Sequence, residues 1–249
     1  IEKEIEVNKK CGVNSCILHA EDVLLYGQNS VIPDEEKVLK INEIAKKHAS
    51  FVSWSHASFS AVASKPKLIE KCSEIILDER QRWWGAEMGI ETGSPEMVKK
   101  IMPAKAKPFK PEEYPEVVKK AMGIMHDNNL IPACTLVVGL PEEREEDVIK
   151  TIELIEELKE YKSLIVPLFF VPLGKLKKED WFKSEKMSEL HKELLIKCMR
   201  HDLKWAKEIA DGYFQERYSL LKPFYILFMK LIEWQAKKKG VLEDISRNI

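Results

Sequence analysis

The sequence has no apolar run long enough to cross a bilayer. Its most apolar stretch, residues 220–234, is broken by Lys222, Pro223, Lys230 and Glu233, whereas a spanning helix needs about 20 consecutive apolar residues. No transmembrane segment is expected. The opening Ile1-Glu2-Lys3-Glu4-Ile5 is charged and lacks the apolar segment of a signal peptide. Cysteine is scarce: Cys11, Cys16, Cys72, Cys134 and Cys198 are odd in number and widely scattered. This is not the pattern of a secreted disulfide framework, so a reducing, cytoplasmic setting is expected. Charge of one sign is not in excess either, with 40 Lys and Arg against 41 Asp and Glu. That balance offers no broad electrostatic grip on nucleic acid or an anionic membrane, and neither is expected as a partner. An initiator methionine is missing as well, and the first residues read as the end of a helix. The expectation is a piece of a longer protein, partnered by an upstream domain or by copies of itself.

What the 249 residues do contain is a 45% hydrophobic share, enough for a substantial core. Short apolar runs rich in β-branched residues alternate with longer stretches of helical period up to about Gly174, the rhythm of repeated βα units and a parallel sheet. Strands are predicted at residues 15–20, 51–55, 83–90, 133–140 and 164–173. The last of these is almost continuously apolar, which suits a parallel strand buried on both faces. Helices are predicted at 34–48, capped by Asp34, from Pro66, at 115–128 and at 145–161. Beyond Gly174 a lysine-rich linker leads to helical patterns at 184–211 and 220–239. The predicted organisation is therefore an α/β domain over residues 1–175 and a helical extension over residues 176–249.

In parallel α/β architectures ligands bind at the C-terminal ends of the strands. Those ends read His19-Ala20-Glu21-Asp22, Ser53-Trp54-Ser55-His56, Glu91-Thr92-Gly93-Ser94, Gly139-Leu140-Pro141-Glu142 and Pro172-Leu173-Gly174. Glu91 is the strongest candidate, because a carboxylate at the end of a buried strand costs free energy unless it meets a partner. Glu21 and Asp22 also suit a loop or helix cap, and Ser94 followed by Pro95 suits an N-cap. The acidic run 142–147 reads as a solvated helix start favoured by the helix dipole. Lys105 and Lys107 read as surface loop lysines, and Trp54, Trp83 and Trp84 as packing. Cys72, Cys134 and Cys198 read as small buried apolar groups. No catalytic residue is assigned.

Gly89-Ile90-Glu91-Thr92-Gly93-Ser94-Pro95, followed by Val98-Lys99-Lys100-Ile101-Met102 and then by Val137-Val138-Gly139-Leu140-Pro141-Glu142-Glu143, resembles the radical S-adenosylmethionine (SAM) family in order and separation. The likeness spans roughly residues 16–174. It implies a partial (β/α)6 TIM-like barrel, truncated at its N-terminus, whose five strands are the second to sixth. It also implies SAM as cofactor, with Glu21 and Asp22 near the methionyl amine, Glu91 and Ser94 near the ribose or amine, and Lys100 near the carboxylate. Val137, Gly139 and Val171 fall where the family sandwiches adenine. Trp83-Trp84-Gly85-Ala86-Glu87 and the segment from Met102 to Phe109 are similar to members that carry an upstream cobalamin domain, so cobalamin is a possible second cofactor of the parent protein.

The sequence departs from the family in lacking the C-x-x-x-C-x-x-C triplet that ligates a [4Fe–4S] cluster. Cys11 and Cys16 have the wrong spacing and are not assigned as ligands, and no metal site is expected in this chain. The resemblance implies that a full-length protein with the cluster cleaves SAM reductively to a 5′-deoxyadenosyl radical that attacks an unknown substrate, while this chain alone is inactive. The competing reading is a catalytically silent barrel that serves as a binding or assembly module. The aromatic tail, Tyr213, Phe214, Tyr218, Phe224, Tyr225, Phe228 and Trp234, reads as packing on the parent domain, with a membrane-surface or partner-binding helix pair as the alternative.

Overall fold

The structure, a computed structural model, describes residues 1–216, 219–238 and 240. Helix α1 (Glu2–Lys10) precedes strand β1 (Ser15–Leu18), and α2 (Glu35–His48) leads to β2 (Phe51–Trp54). Asp34 Oδ1 caps α2 by accepting the Lys37 N–H at 3.3 Å, and Val38, Ile41 and Ala45 bury one helical stripe. Two helices, α3 (Phe59–Ser64) and α4 (Pro66–Ile76), then connect to β3 (Trp84–Glu91). α5 (Pro95–Ile101) and α6 (Tyr114–Asp127) lead to β4 (Leu130–Val138), and α7 (Glu145–Glu157) to β5 (Leu164–Phe169). The chain ends in α8 (Glu189–Glu216) and α9 (Lys222–Lys238). Tyr218 lies outside the described residues, as do the side chains of Tyr213 and Phe214.

Every strand pair is parallel. β1 pairs with β2 from Ser15 opposite Phe51 to Leu18 opposite Trp54, and β4 lies between β3 and β5. A narrower seam joins the two parts: Glu87 N donates to Ser55 O at 2.9 Å and Ala57 N to Glu87 O at 3.1 Å. The strands thus follow one another in chain order, and among the described residues the sheet does not close into a barrel.

Alternation sets the two faces. Met88, Ile90, Cys134, Leu136 and Ile165 are buried, while the intervening Glu87, Gly89, Thr135, Val137 and Val166 are partly or fully exposed. Trp54 and Trp84 lock the seam edge to face, with ring centroids 4.5 Å apart at 89°. Both indole N–H groups are satisfied, Trp54 on Asn42 Oδ1 at 2.9 Å and Trp84 on Asn128 O at 3.1 Å. Buried Gln81 substitutes for a neighbouring strand beside β2, accepting the Val52 N–H at 2.9 Å and donating to Val52 O at 2.6 Å.

The expectation that the last strand is buried on both faces is overturned. Val166, Leu168 and Phe169 are 41%, 48% and 38% exposed, because β5 is a sheet edge covered on one side only, by α8. β4 begins three residues earlier than the sequence pattern suggests, and α7 ends at Glu157 rather than Tyr161. α3 has no counterpart among the predicted elements. Its Ser58 cap accepts the Ala61 N–H at 3.2 Å, and its residues are too few to show a period.

Candidate functional site

β3 ends irregularly. Its register with β4 shifts between Gly89 and Glu91, and Glu91 sits in the left-handed region at φ 63°. A bulge of this kind re-aims a side chain, and a non-glycine residue held at positive φ costs about 1–3 kcal/mol. The strain turns the Glu91 carboxylate towards the exposed face of the sheet. Its Oε1 accepts from Lys105 Nζ at 2.9 Å and its Oε2 from Thr135 Oγ1 at 3.3 Å. The Glu91 and Lys105 side chains remain 22% and 25% exposed, so a solute can reach both.

The neighbours of this pair are fixed. Ser60 Oγ donates to Lys105 O at 2.7 Å, and Tyr114 Oη to Gly89 O at 3.0 Å. Gly89 leaves room for this pair: a Cβ there would lie 1.9 Å from Glu91 Oε1 and 2.7 Å from Lys105 Nζ, so a larger residue would push the two side-chain ends aside. Burial pushes the Tyr114 phenol well above its ordinary range, helped by the nearby Glu91 charge. Lys105, expected to be a surface lysine, is instead half-buried, tied to α3 through its carbonyl and to β3 through its ammonium group. Thr135 escaped the sequence reading because, inside an apolar strand, its hydroxyl gives no pattern signal.

Asp22 joins this group from the end of β1. Its Oδ1 accepts the Leu24 N–H at 3.0 Å, capping a short 3-10 turn, while its Oδ2 is enclosed without a hydrogen-bond partner. Burial raises its carboxyl above the ordinary range, opposed by Ser58, by the Leu24 N–H and by the Lys105 charge. Glu21 is exposed and takes no part. One strand over, His56 Nε2 lies 3.6 Å from Glu87 Oε2, its Nδ1 is enclosed without a partner, and the His19 ring stands 6.0 Å away.

The other candidates lie elsewhere. Ser94 is fully buried; its Oγ donates to Asp147 Oδ1 at 2.5 Å and accepts the Met97 N–H at 3.4 Å. It is a cap that no ligand reaches. Asp147 is equally buried, against the expectation of a solvated acidic run. Lys100 is exposed and bonds to Glu142, in a surface hollow of about 620 Å³ shared with Met97 and Arg144. Gly139, at φ 78°, approaches the ring of Phe182 so closely that a Cβ would lie 2.0 Å from it. Val137 packs in the same apolar cluster, and Val171 is 38% exposed. An aromatic side chain of this chain therefore fills the space expected to admit adenine. Glu143 Oε2 braces the turn, accepting the Gly139 N–H at 3.0 Å and facing His191 Nε2 at 3.2 Å; burial raises its carboxyl.

The cysteines do not converge. Cys11 is exposed and Cys16 half-buried, whereas Cys72, Cys134 and Cys198 are buried. Burial pushes the Cys72 and Cys198 thiols up to about 12 and the Cys134 thiol higher still. Among the described residues, the ligand-type side chains that do converge are Glu2, Glu6 and His48, on α1 and α2. The residues present do not fit an iron–sulfur cluster.

Together these features define an α/β protein with parallel strands and a polar, partly open group of side chains at their C-terminal ends. No family model matches the chain, and no curated protein matches it.

Proposed function

We propose that this chain is the SAM-binding part of a radical SAM enzyme, built on a partial (β/α)6 barrel whose open face holds the cofactor. The observation that carries the reading is the strained Glu91, aimed at the exposed face between Lys105 and Thr135. The donor and acceptor set fits the cofactor: Glu91 accepts from an ammonium or ribose hydroxyl, and Lys105 donates to a carboxylate, both side chains being within reach of a solute. Support also comes from the chain-order parallel strands. When bound, SAM supplies a 5′-deoxyadenosyl group; the role of these residues is to bind and orient it. This chain lacks the cysteine triplet that would ligate an iron–sulfur cluster. The Phe182 ring over Gly139 argues that adenine binds elsewhere on the open face or displaces that ring.

The test is calorimetric titration of the chain with SAM and, separately, with methionine, using Glu91→Gln and Lys105→Met alongside. SAM binding is expected, weakened about ten- to hundredfold by Glu91→Gln, as the loss of a charge-assisted hydrogen bond implies. Absence of SAM binding by this chain and by a gene-length protein carrying any upstream cysteines would overturn the reading.

A further inference from the structure

Helix α9 turns its more apolar side to solvent. Met229 and Ala236 are buried, Tyr225 Oη donates to Ala206 O of α8 at 3.1 Å, and Lys207 of α8 meets Glu233 at 3.8 Å. These contacts fix which side faces the protein. On the opposite side, Phe224, Leu227, Phe228, Leu231 and Trp234 recur at helical spacing and are 72%, 58%, 58%, 52% and 54% exposed, continuing from Leu220 at 86%. Monomeric proteins rarely leave so continuous an apolar stripe in water, and one this long marks an interaction surface.

Charge selects the occupant. Residues 220–239 hold five lysines against the single acid Glu233, in a chain whose formal net charge is −1. Lys238 lies 5.1 Å from the centre of the Trp234 ring, at the C-terminal end of the stripe, and Lys230 is exposed at its flank. Two copies packed stripe to stripe would oppose these cations to one another. An anionic surface neutralises them instead, while the apolar side chains leave water. An apolar face with aromatic residues, bordered by lysine, is the pattern of a helix lying in the plane of a lipid headgroup layer.

We propose that α9 is an interfacial helix that docks this protein on a bilayer containing anionic phospholipid. No described helix is long and apolar enough to cross a membrane, and interfacial docking requires none. The proposal takes up the membrane-surface alternative that the aromatic tail offered in the sequence, in place of the expectation of no membrane partner, which rested on overall charge and on the absence of a spanning segment. Neither criterion detects a local basic, one-sided helix.

The experiment is co-sedimentation of the full chain with vesicles of phosphatidylcholine alone and of phosphatidylcholine mixed with phosphatidylglycerol. Retention on the mixed vesicles is expected, with release as salt is raised and weak retention on phosphatidylcholine. Leu227→Ser with Phe228→Ser should abolish retention, and Lys230→Glu should weaken it about fivefold or more, as removal of one cation from an anionic surface implies. All three side chains are exposed, so an unchanged circular dichroism spectrum separates loss of docking from loss of fold. The proposal is overturned if the mixed vesicles fail to retain the protein at low salt. Retention indifferent to both substitutions also overturns it, as does a stripe-dependent dimer in lipid-free sedimentation without vesicle retention.

Discussion

Ser94 and Glu91 lie three residues apart and spend their side chains in opposite ways. Ser94 is sealed in, and its hydroxyl links the start of α5 to Asp147 at the start of α7. Gly93 permits this approach: a Cβ there would meet Lys150 O and Thr151 Cα at 2.7 Å. Burial pushes the Asp147 carboxyl up, but hydrogen bonds from Ser94 and Arg144 outweigh it and hold the group below its ordinary range. A depressed carboxylate adds stability above the ordinary carboxylate range, and that stability is lost as pH falls through the lowered folded value. Ser94→Ala removes the cap and leaves Asp147 short of a donor, so a loss of about 1–3 kcal/mol is expected in urea unfolding at pH 7. The cap itself was legible from Ser-Pro at a helix start. Its partner was not, because an acidic run at a helix N-terminus looks the same in sequence whether one member is buried or all are solvated.

At the scale of elements, α8 docks on the edge strand β5 through two adjacent titrating residues. Asp202 Oδ1 accepts the Ile165 N–H at 2.6 Å, and burial raises its carboxyl to about 6. His201 Nε2 lies 2.8 Å from Ser163 Oγ, and burial lowers its imidazole to about 4. Between pH 4 and 6 the folded state therefore holds more protons than the unfolded chain at Asp202 and fewer at His201. Stability falls with rising pH through the first group and rises through the second, so the wild type should show a shallow profile there. Asp202→Asn should unmask the histidine, making stability drop as pH falls from about 6.5 to 4, by up to roughly 1.4 kcal/mol per pH unit. His201→Gln should give the reverse slope, and melting temperatures across that range read both. The five strands and the longer helices were legible because their periods of 2.0 and 3.6 persist over several turns or pleats. The exposure of β5 was not, since an apolar run carries no mark of how many faces a neighbour covers. The pairing of Lys105 with Glu91 and the ring of Phe182 over Gly139 arise from loops, where spacing says nothing about approach.

Over the whole molecule, a single buried cluster runs from Ile5 on α1 through Val52 and Trp84 to Cys198 on α8, crossing the narrow seam between β2 and β3. The two parts of the sheet should consequently unfold together. Urea transitions followed by far-ultraviolet circular dichroism and by tryptophan fluorescence are expected to coincide, whereas a biphasic curve would show that the seam separates two cooperative units. That shared core also supports Glu91, whose left-handed backbone suits glycine better than any residue with a side chain. Replacement by glycine would relieve the backbone and discard the carboxylate in one step. A laboratory selection for heat resistance alone would therefore set the relief of the backbone against the lost contacts to Lys105 and Thr135, and would be indifferent to the carboxylate itself.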